Sequence, residues 1–186
     1  MNYEEVYAEN PAYFGKPFPE LIDYFKRQDR GGKVLDVGCG QGRNAIPLAE
    51  MGYLVHAIDV SPTAVRQLKT QVETINSDLK VEQINFSLLT NLEQFDFVLL
   101  DGFFHFYDHE MDEEEKKMRH LLANVRSDTR LIFCFADHGE SVPTFRQMTS
   151  KLELIEERQV HYAYVDPVSD WEFETNYFFS VLQLAQ

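Results

Sequence analysis

Three aspartates and a cluster of glycines hold most of the chemistry that can be read along this chain. Asp36 ends an apolar run and is followed by Val37-Gly38-Cys39-Gly40-Gln41-Gly42-Arg43-Asn44. One helix length later a second apolar run, Tyr53 to Ile58, ends in Asp59, and a third, Phe95 to Leu100, ends in Asp101. Glycines at alternate positions let a backbone turn sharply and let a ligand lie directly against it, with no Cβ in the way. A carboxylate at the tip of the second run suits the two hydroxyls of a ribose. A dinucleotide turn of the form G-x-G-x-x-G would need a third small residue where Arg43 stands, for close packing of helix on strand. A carboxylate at Asp36 also suits a pyrophosphate poorly. It suits a ligand that presents a cation there.

These groups meet only if strands and helices alternate. Val34 to Val37 reads as the first strand and Arg43 to Met51 as a helix ended by Gly52. Leu54 to Ile58 is the second strand. Ser61 and Pro62 are a good N-cap and first residue for a helix running to about Asn76. Val81 to Phe86 and Phe95 to Asp101 follow as strands. Met111 to Val125 is a helix with acids first and bases later, an order that complements its dipole. Arg130 to Ala136 is the fifth strand, and a helix near Val142 to Ser150 follows. Two long β segments, Leu152 to Tyr164 and Thr175 to Ala185, close the chain. Such alternation predicts a doubly wound α/β fold, a mostly parallel sheet covered on both faces. Ligands bind such sheets at the carboxyl ends of the strands, where Asp36, Asp59, Ser87 and Asp101 all fall.

The D-x-G-x-G-x-G pattern from Asp36 to Gly42, with Asp59 after it, resembles the class I S-adenosylmethionine-dependent methyltransferases. The resemblance implies their Rossmann-like seven-stranded sheet, and the two terminal β segments look like its closing antiparallel hairpin. It implies S-adenosyl-L-methionine as cofactor, S-adenosyl-L-homocysteine as product and no metal. By the same resemblance Asp36 serves the methionyl ammonium through the Gly38–Gly40 backbone and water. Gly38, Gly40 and Gln41 form the ligand turn, Asp59 takes the ribose hydroxyls, and Val60 lies on the adenine. The family often carries an acid after the third strand for the adenine amino group. Here Asn85-Phe86-Ser87-Leu88-Leu89 has none; Ser87 aligns best, with Leu88 beside it. Asp101 and Gly102 line the methyl-transfer mouth. Asp101-Gly102-Phe103-Phe104 stands where amino-group methyltransferases carry an Asp/Asn-Pro-Pro-aromatic motif, and the prolines are missing. The Gly40-Gln41-Gly42-Arg43-Asn44 turn and the compact size look similar to tellurite-resistance and thiol or thiopurine methyltransferases, which act on small, soft nucleophiles.

Methyl transfer is an in-line displacement that needs alignment and a dry site; a base is needed only if the acceptor must lose a proton. His105, just after the Asp101 loop, is either the best-placed candidate base or a loop histidine with no role, and Asp101 is a second catalytic candidate. His105, Asp108, His109 and Glu110 are residue types that can bind a metal, but consecutive Asp-His-Glu side chains diverge, so helix initiation and a solvated acidic face are the simpler reading. Tyr3, Tyr7, Tyr13, Phe14 and Phe18 make residues 1–32 an aromatic prelude, either a lid over the pocket or plain packing on the sheet. Residues 33–186 form the core of what reads as one domain, with Trp171 and Phe173 as further core candidates.

Composition narrows the partners. Lys+Arg 17 against Asp+Glu 31 gives a net charge of −14 over 186 residues. Such a surface repels nucleic-acid phosphates and anionic membranes. No signal-like apolar region or bilayer-length run is present, and the overall charge leaves room only for a local basic patch. Cys39 and Cys134 lack metal or disulfide-framework spacing. The expectation is a cytoplasmic enzyme with a small-molecule acceptor, of unknown oligomeric state. Two other readings stand beside it: a binding module that keeps the ligand without turnover, and a nicotinamide-dependent oxidoreductase.

Overall fold

The computed structural model describes residues 3–10, 12–29, 31–75, 78–165 and 172–185. Helices α1 (Tyr3–Glu9) and α2 (Pro19–Lys26) precede an alternating series: β1 (Lys33–Val37), α3 (Ala45–Glu50), β2 (Leu54–Asp59), α4 (Pro62–Val72), β3 (Leu79–Gln83), β4 (Phe97–Asp101), α5 (Met111–Asn124), β5 (Arg130–Asp137) and α6 (Ser141–Met148). Strands β6 (Leu152–Val165) and β7 (Glu172–Leu184) end it. The strands form one seven-stranded sheet in the order β3-β2-β1-β4-β5-β7-β6. β1 to β5 pair in parallel, while β7 runs antiparallel between β5 and β6. The expected α/β sheet with its closing hairpin is what the chain forms.

Alternate strand residues face opposite sides, and both sides are apolar. Val34, Val55, Leu99 and Ile132 meet α2, α3 and α4 through Leu21, Phe25, Leu48 and Leu68. Leu35, Val98, Leu131 and Phe133 meet α5 and α6 through Met118, Leu121 and Phe145. Burial on both faces explains why the central strands read as continuous apolar runs rather than as alternation. Burying a side chain such as Phe25, which is wholly buried, contributes about 1.5–3 kcal/mol. α4 begins as expected: Ser61 Oγ accepts the Ala64 amide at 3.0 Å, with Pro62 opening the helix.

Several boundaries differ from expectation, those of β3 and α3 for local reasons. β3 lies at Leu79–Gln83, because the Ile84 amide turns to the Asp59 carbonyl and Phe86–Leu88 then forms a single 3₁₀ turn. Asn85 caps that turn, its Oδ1 accepting the Ser87 amide at 3.0 Å. α3 starts at Ala45 rather than Arg43, since residues 41–44 belong to the glycine turn. α4 ends at Val72; Asn76 lies outside the described residues, as do Trp171 and the side chain of Phe173. Among the described residues no helix is long and apolar enough to cross a membrane.

Candidate active site

Asp36, Asp59 and Asp101 sit on one face of the sheet, because each follows a residue of that face by two (Val34, Ala57 and Leu99). Their strands are neighbours in the order β2-β1-β4, so the three acids come together along the carboxyl edge. Above them lies a cavity of about 830 Å³, within the range of small-ligand sites. It runs from Val60, Ile84 and Phe86 at one end, over the glycine turn, to Asp101, Thr175 and Tyr177 at the other.

The glycine turn is shaped by its neighbours as well as by its own bends. A Cβ at Gly40 would stand 2.9 Å from the Tyr7 hydroxyl. A Cβ at Gly42 (φ +90°) would stand 2.3 Å from Leu68 Cδ1. Gly42 therefore does the helix-packing work that a dinucleotide turn assigns one residue later. Arg43, one residue later, lines the cavity.

Asp59 binds the turn to β2. Its Oδ2 accepts the Gly40 amide and its Oδ1 the Ser61 amide, both at 2.8 Å. Each oxygen keeps a second lone pair, and the residue lines the cavity. Val60 beside it is 62% exposed, an apolar surface open to a ligand's ring. The structure does not bring Ser87 and Leu88 to this wall. The 3₁₀ turn sends the Ser87 hydroxyl to Asn85 Oδ1 at 2.9 Å, and Leu88 points to solvent. Ile84, Phe86 and Phe103 line the cavity in their place.

Asp36 lies behind the wall rather than in it. It is buried in the centre of the sheet, and its Oδ2 has no hydrogen-bond partner. Burial, reinforced by the charge of Asp101 and opposed by Arg43, pushes its carboxyl up to about 8. Asn44 is the neighbour that sequence reasoning missed. It is buried, lines the cavity and donates through Nδ2 to Asp101 Oδ2 at 2.7 Å, while its Oδ1 is buried without a donor. Two buried acceptors lacking donors are what a ligand ammonium would satisfy.

Asp101 anchors the far end. Arg43 Nη2 and Asn44 Nδ2 donate to its Oδ2, and the Tyr177 hydroxyl donates to its Oδ1 at 2.5 Å. Burial, then the charge of Asp101, holds the Tyr177 phenol well above its ordinary range. Gly102 lines the cavity beside it with φ +64°. Cys39 and Cys134 are buried free thiols, both pushed up by burial.

His105 also lines the cavity. Its Nδ1 lies 3.4 Å from Glu110 Oε2 and 4.0 Å from Glu114 Oε1. His105, Glu110 and Glu114 have ligating atoms within 4.8 Å of one another. A helical turn carries Glu114 back under the loop, a contact that reading Asp108 to Glu110 alone does not show. Glu114 is wholly buried, and its two oxygens accept the amides of His105 at 2.5 Å and Phe106 at 2.8 Å.

The N-terminal segment lines the cavity through Tyr3, Tyr7 and Phe14. Gln41 ties it down: Oε1 accepts the Tyr13 amide at 3.0 Å, and Nε2 donates to the Asn10 carbonyl at 2.6 Å and to Gln67 Oε1 at 2.7 Å. The backbone of Gln41 belongs to the glycine turn, but its side chain holds the N-terminal segment.

Comparison with known proteins agrees with this geometry. Residues 34–124 match a family model described as a methyltransferase domain. The chain is 36% identical over 66 residues to a 2-heptyl-1-hydroxyquinolin-4(1H)-one methyltransferase of Mycobacteroides abscessus, covering 36% of this chain and 29% of that protein. It is 32% identical over 99 residues to a probable S-adenosyl-L-methionine-dependent methyltransferase, TehB, of Haemophilus influenzae, covering 53% of this chain and 32% of that one. The matches thus span about a third of those relatives' lengths. A structure solved in work on the conversion of a disulfide bond into a thioacetal group during echinomycin biosynthesis superposes with a TM-score of 0.82 at 20% identity, over 98% of this chain and 91% of that one. The domain match over residues 34–124, read with the β5-β7-β6 closure of the sheet, makes this chain similar to the class I S-adenosylmethionine-dependent methyltransferases, whose Rossmann-like fold it has.

Proposed function

We propose that this chain transfers a methyl group from S-adenosylmethionine to a small-molecule acceptor, as a cytoplasmic enzyme of one domain. The observation that carries the reading is the continuous cavity from Val60 to Tyr177, with the glycine turn as its floor and α1 as its roof. When bound, S-adenosylmethionine supplies a methyl group on a sulfonium, already activated for in-line displacement. Asp59 holds the ribose hydroxyls with its remaining lone pairs. Val60, Ile84 and Phe86 give the adenine an apolar slot. Asn44 Oδ1 and the Asp36 carboxylate receive the ammonium, Asp36 from behind the turn. The roof excludes water, which strengthens every polar contact beneath it. Space beyond Gly102, bounded by Ala136, Thr175 and Tyr177, receives a small acceptor. The Mycobacteroides relative, named for a hydroxyquinolone substrate, supports an acceptor of that scale.

Isothermal titration with S-adenosylhomocysteine should give binding of micromolar order, about 8 kcal/mol. Absence of binding to folded protein would rule the reading out. Asp59→Ala should weaken binding by about 1–3 kcal/mol, and an unchanged affinity would remove the ribose role. Response to NADH alone would favour an oxidoreductase, and ligand binding without product from any acceptor a non-catalytic module.

A further inference from the structure

The loop after β4 is held in a strained shape by one buried acid. Phe106 adopts φ +59°, a left-handed conformation uncommon for a bulky residue. Such strain persists only where the surroundings impose it. Glu114 imposes it by accepting the His105 and Phe106 amides together. His138 Nε2 adds a bond to the His105 carbonyl at 2.7 Å. The Tyr107 ring stacks against the rings of both His105 and His138. The imidazole is thereby oriented. Nδ1 faces Glu110 and Glu114, which leaves Nε2 for the cavity that His105 lines. Glu110 is shared with His109, whose Nε2 lies 3.7 Å from its other oxygen.

The charges at the mouth select what that imidazole can serve. An amine acceptor arrives as an ammonium and needs a carboxylate to receive it. The carboxylate there, Asp101, is already engaged by Arg43, Asn44 and Tyr177. Arg43 and Lys117 both line the cavity, Lys117 with its Nζ 4.7 Å from the centroid of the Phe103 ring. Arg43 is engaged by Asp101, so Lys117 supplies the charge beside His105, and a cation there favours an acceptor that becomes an anion.

We propose that Glu110 and Glu114 position His105 to take the acceptor's proton, and that the acceptor is an acidic nucleophile, a thiol or aromatic hydroxyl, rather than an amine. The inference rests on the methyltransferase reading and names its acceptor class. His105 Nε2 takes the proton, and the acceptor atom keeps the electron pair of the broken bond. That pair forms the new bond to the methyl carbon as the carbon–sulfur bond breaks and its electrons return to sulfur. The imidazolium then passes its proton to water. The net change is one methyl gained by the acceptor and one proton released.

The test compares phenylmethanethiol, un-ionised at neutral pH, 4-nitrobenzenethiol, already ionised, and benzylamine. His105→Gln should lower kcat/KM for phenylmethanethiol about a hundredfold, the scale of a lost general base. For 4-nitrobenzenethiol the loss should shrink at least tenfold, since no proton need be removed. Glu110→Gln, at the surface, should show the same pattern more weakly. Glu114→Gln should show it with S-adenosylhomocysteine affinity retained, which reports folding. Without any cofactor, imidazole ¹⁵N NMR should show Nδ1 protonated in the neutral ring, and Glu110→Gln should shift that tautomer. Equal losses for the two thiols, preference for benzylamine, no turnover of either thiol, an unshifted tautomer, or abolition of activity by a chelator would overturn the inference. In each case retained S-adenosylhomocysteine binding would leave the broader reading standing, whereas failure of the wild type to bind it would overturn both.

Discussion

Asp36 shows how one buried acid can report on a ligand from behind the wall of the cavity. With its carboxyl at about 8 against an ordinary 3.8, the ligand-free protein keeps it protonated at neutral pH. The folded state then binds more protons than the unfolded state between those values. Its contribution to stability is complete below about pH 4 and lost as pH rises through about 8. Asp36→Asn should therefore flatten the fall of Tm over that window, as thermal melts at several pH values would show. A ligand ammonium across the turn from Asp36 favours the carboxylate, so binding at pH 7 should release a proton. Titration of S-adenosylhomocysteine in buffers of different ionisation heat should reveal the release in the wild type and not in Asp36→Asn. Equal buffer dependence in both would assign the proton elsewhere. Asn44→Ala should cost about 1–3 kcal/mol in S-adenosylhomocysteine affinity by removing a buried acceptor, while adenosine, which has no ammonium, binds as before. Equal weakening of both ligands would make Asn44 a brace for Asp101 only.

At the scale of elements, α1 and the glycine turn act on each other. Tyr7 approaches Gly40 from above, Gln67 Nε2 bonds the Tyr7 carbonyl at 2.8 Å, and Gln41 holds both Asn10 and Tyr13. Bonds of this kind are worth about 0.5–1.5 kcal/mol each. Gln41→Ala should loosen the N-terminal segment locally by a few of these, leaving the sheet intact. Hydrogen exchange should then lose protection around residues 3–14 but not in β1 or β4, and S-adenosylhomocysteine should dissociate faster. Unchanged exchange would mean that the aromatic contacts of Tyr3, Tyr7 and Phe14 hold the roof by themselves. The other element with built-in tension is the loop after β4, where a buried glutamate on α5 holds Phe106 in its left-handed conformation.

Across the whole molecule, the net charge of −14 sets a background of self-repulsion that salt should relieve. Raising ionic strength from about 0.01 to 0.15 M shortens the Debye length from about 30 to 8 Å, so Tm should rise over that interval. A fall would show that specific pairs, such as Arg27 with Glu156 at 2.8 Å, outweigh the general repulsion. The same field disfavours nucleic-acid acceptors, and a gel-shift series with RNA and DNA at low salt should show no retardation.

The order of strands and helices was legible because each obeys a local rule: apolar runs long enough for buried strands, Ser61 and Pro62 opening α4, and Gly52 closing α3. The glycine turn and Asp59 were legible because their spacing is set by one continuous βαβ unit. Boundaries slipped where a side chain competed with the backbone, as Asn85 does after β3. The prelude could be read as lid or packing with equal justice, because its contacts are with Gln41 and Gln67, far along the chain. Asn44, Tyr177 and Glu114 were not recognised as site residues. Their importance comes from bonds to Asp101 and to the His105 loop, made across 57, 76 and 9 residues of sequence respectively. The placement of Asp36 behind the wall, and of Ser87 away from it, belongs to the same class. Sequence determined which groups reach the carboxyl edge of the sheet, since strand period and connection order are local properties. Only the tertiary structure decided which of them face the cavity and which are already engaged by other groups, since that depends on partners no local pattern specifies.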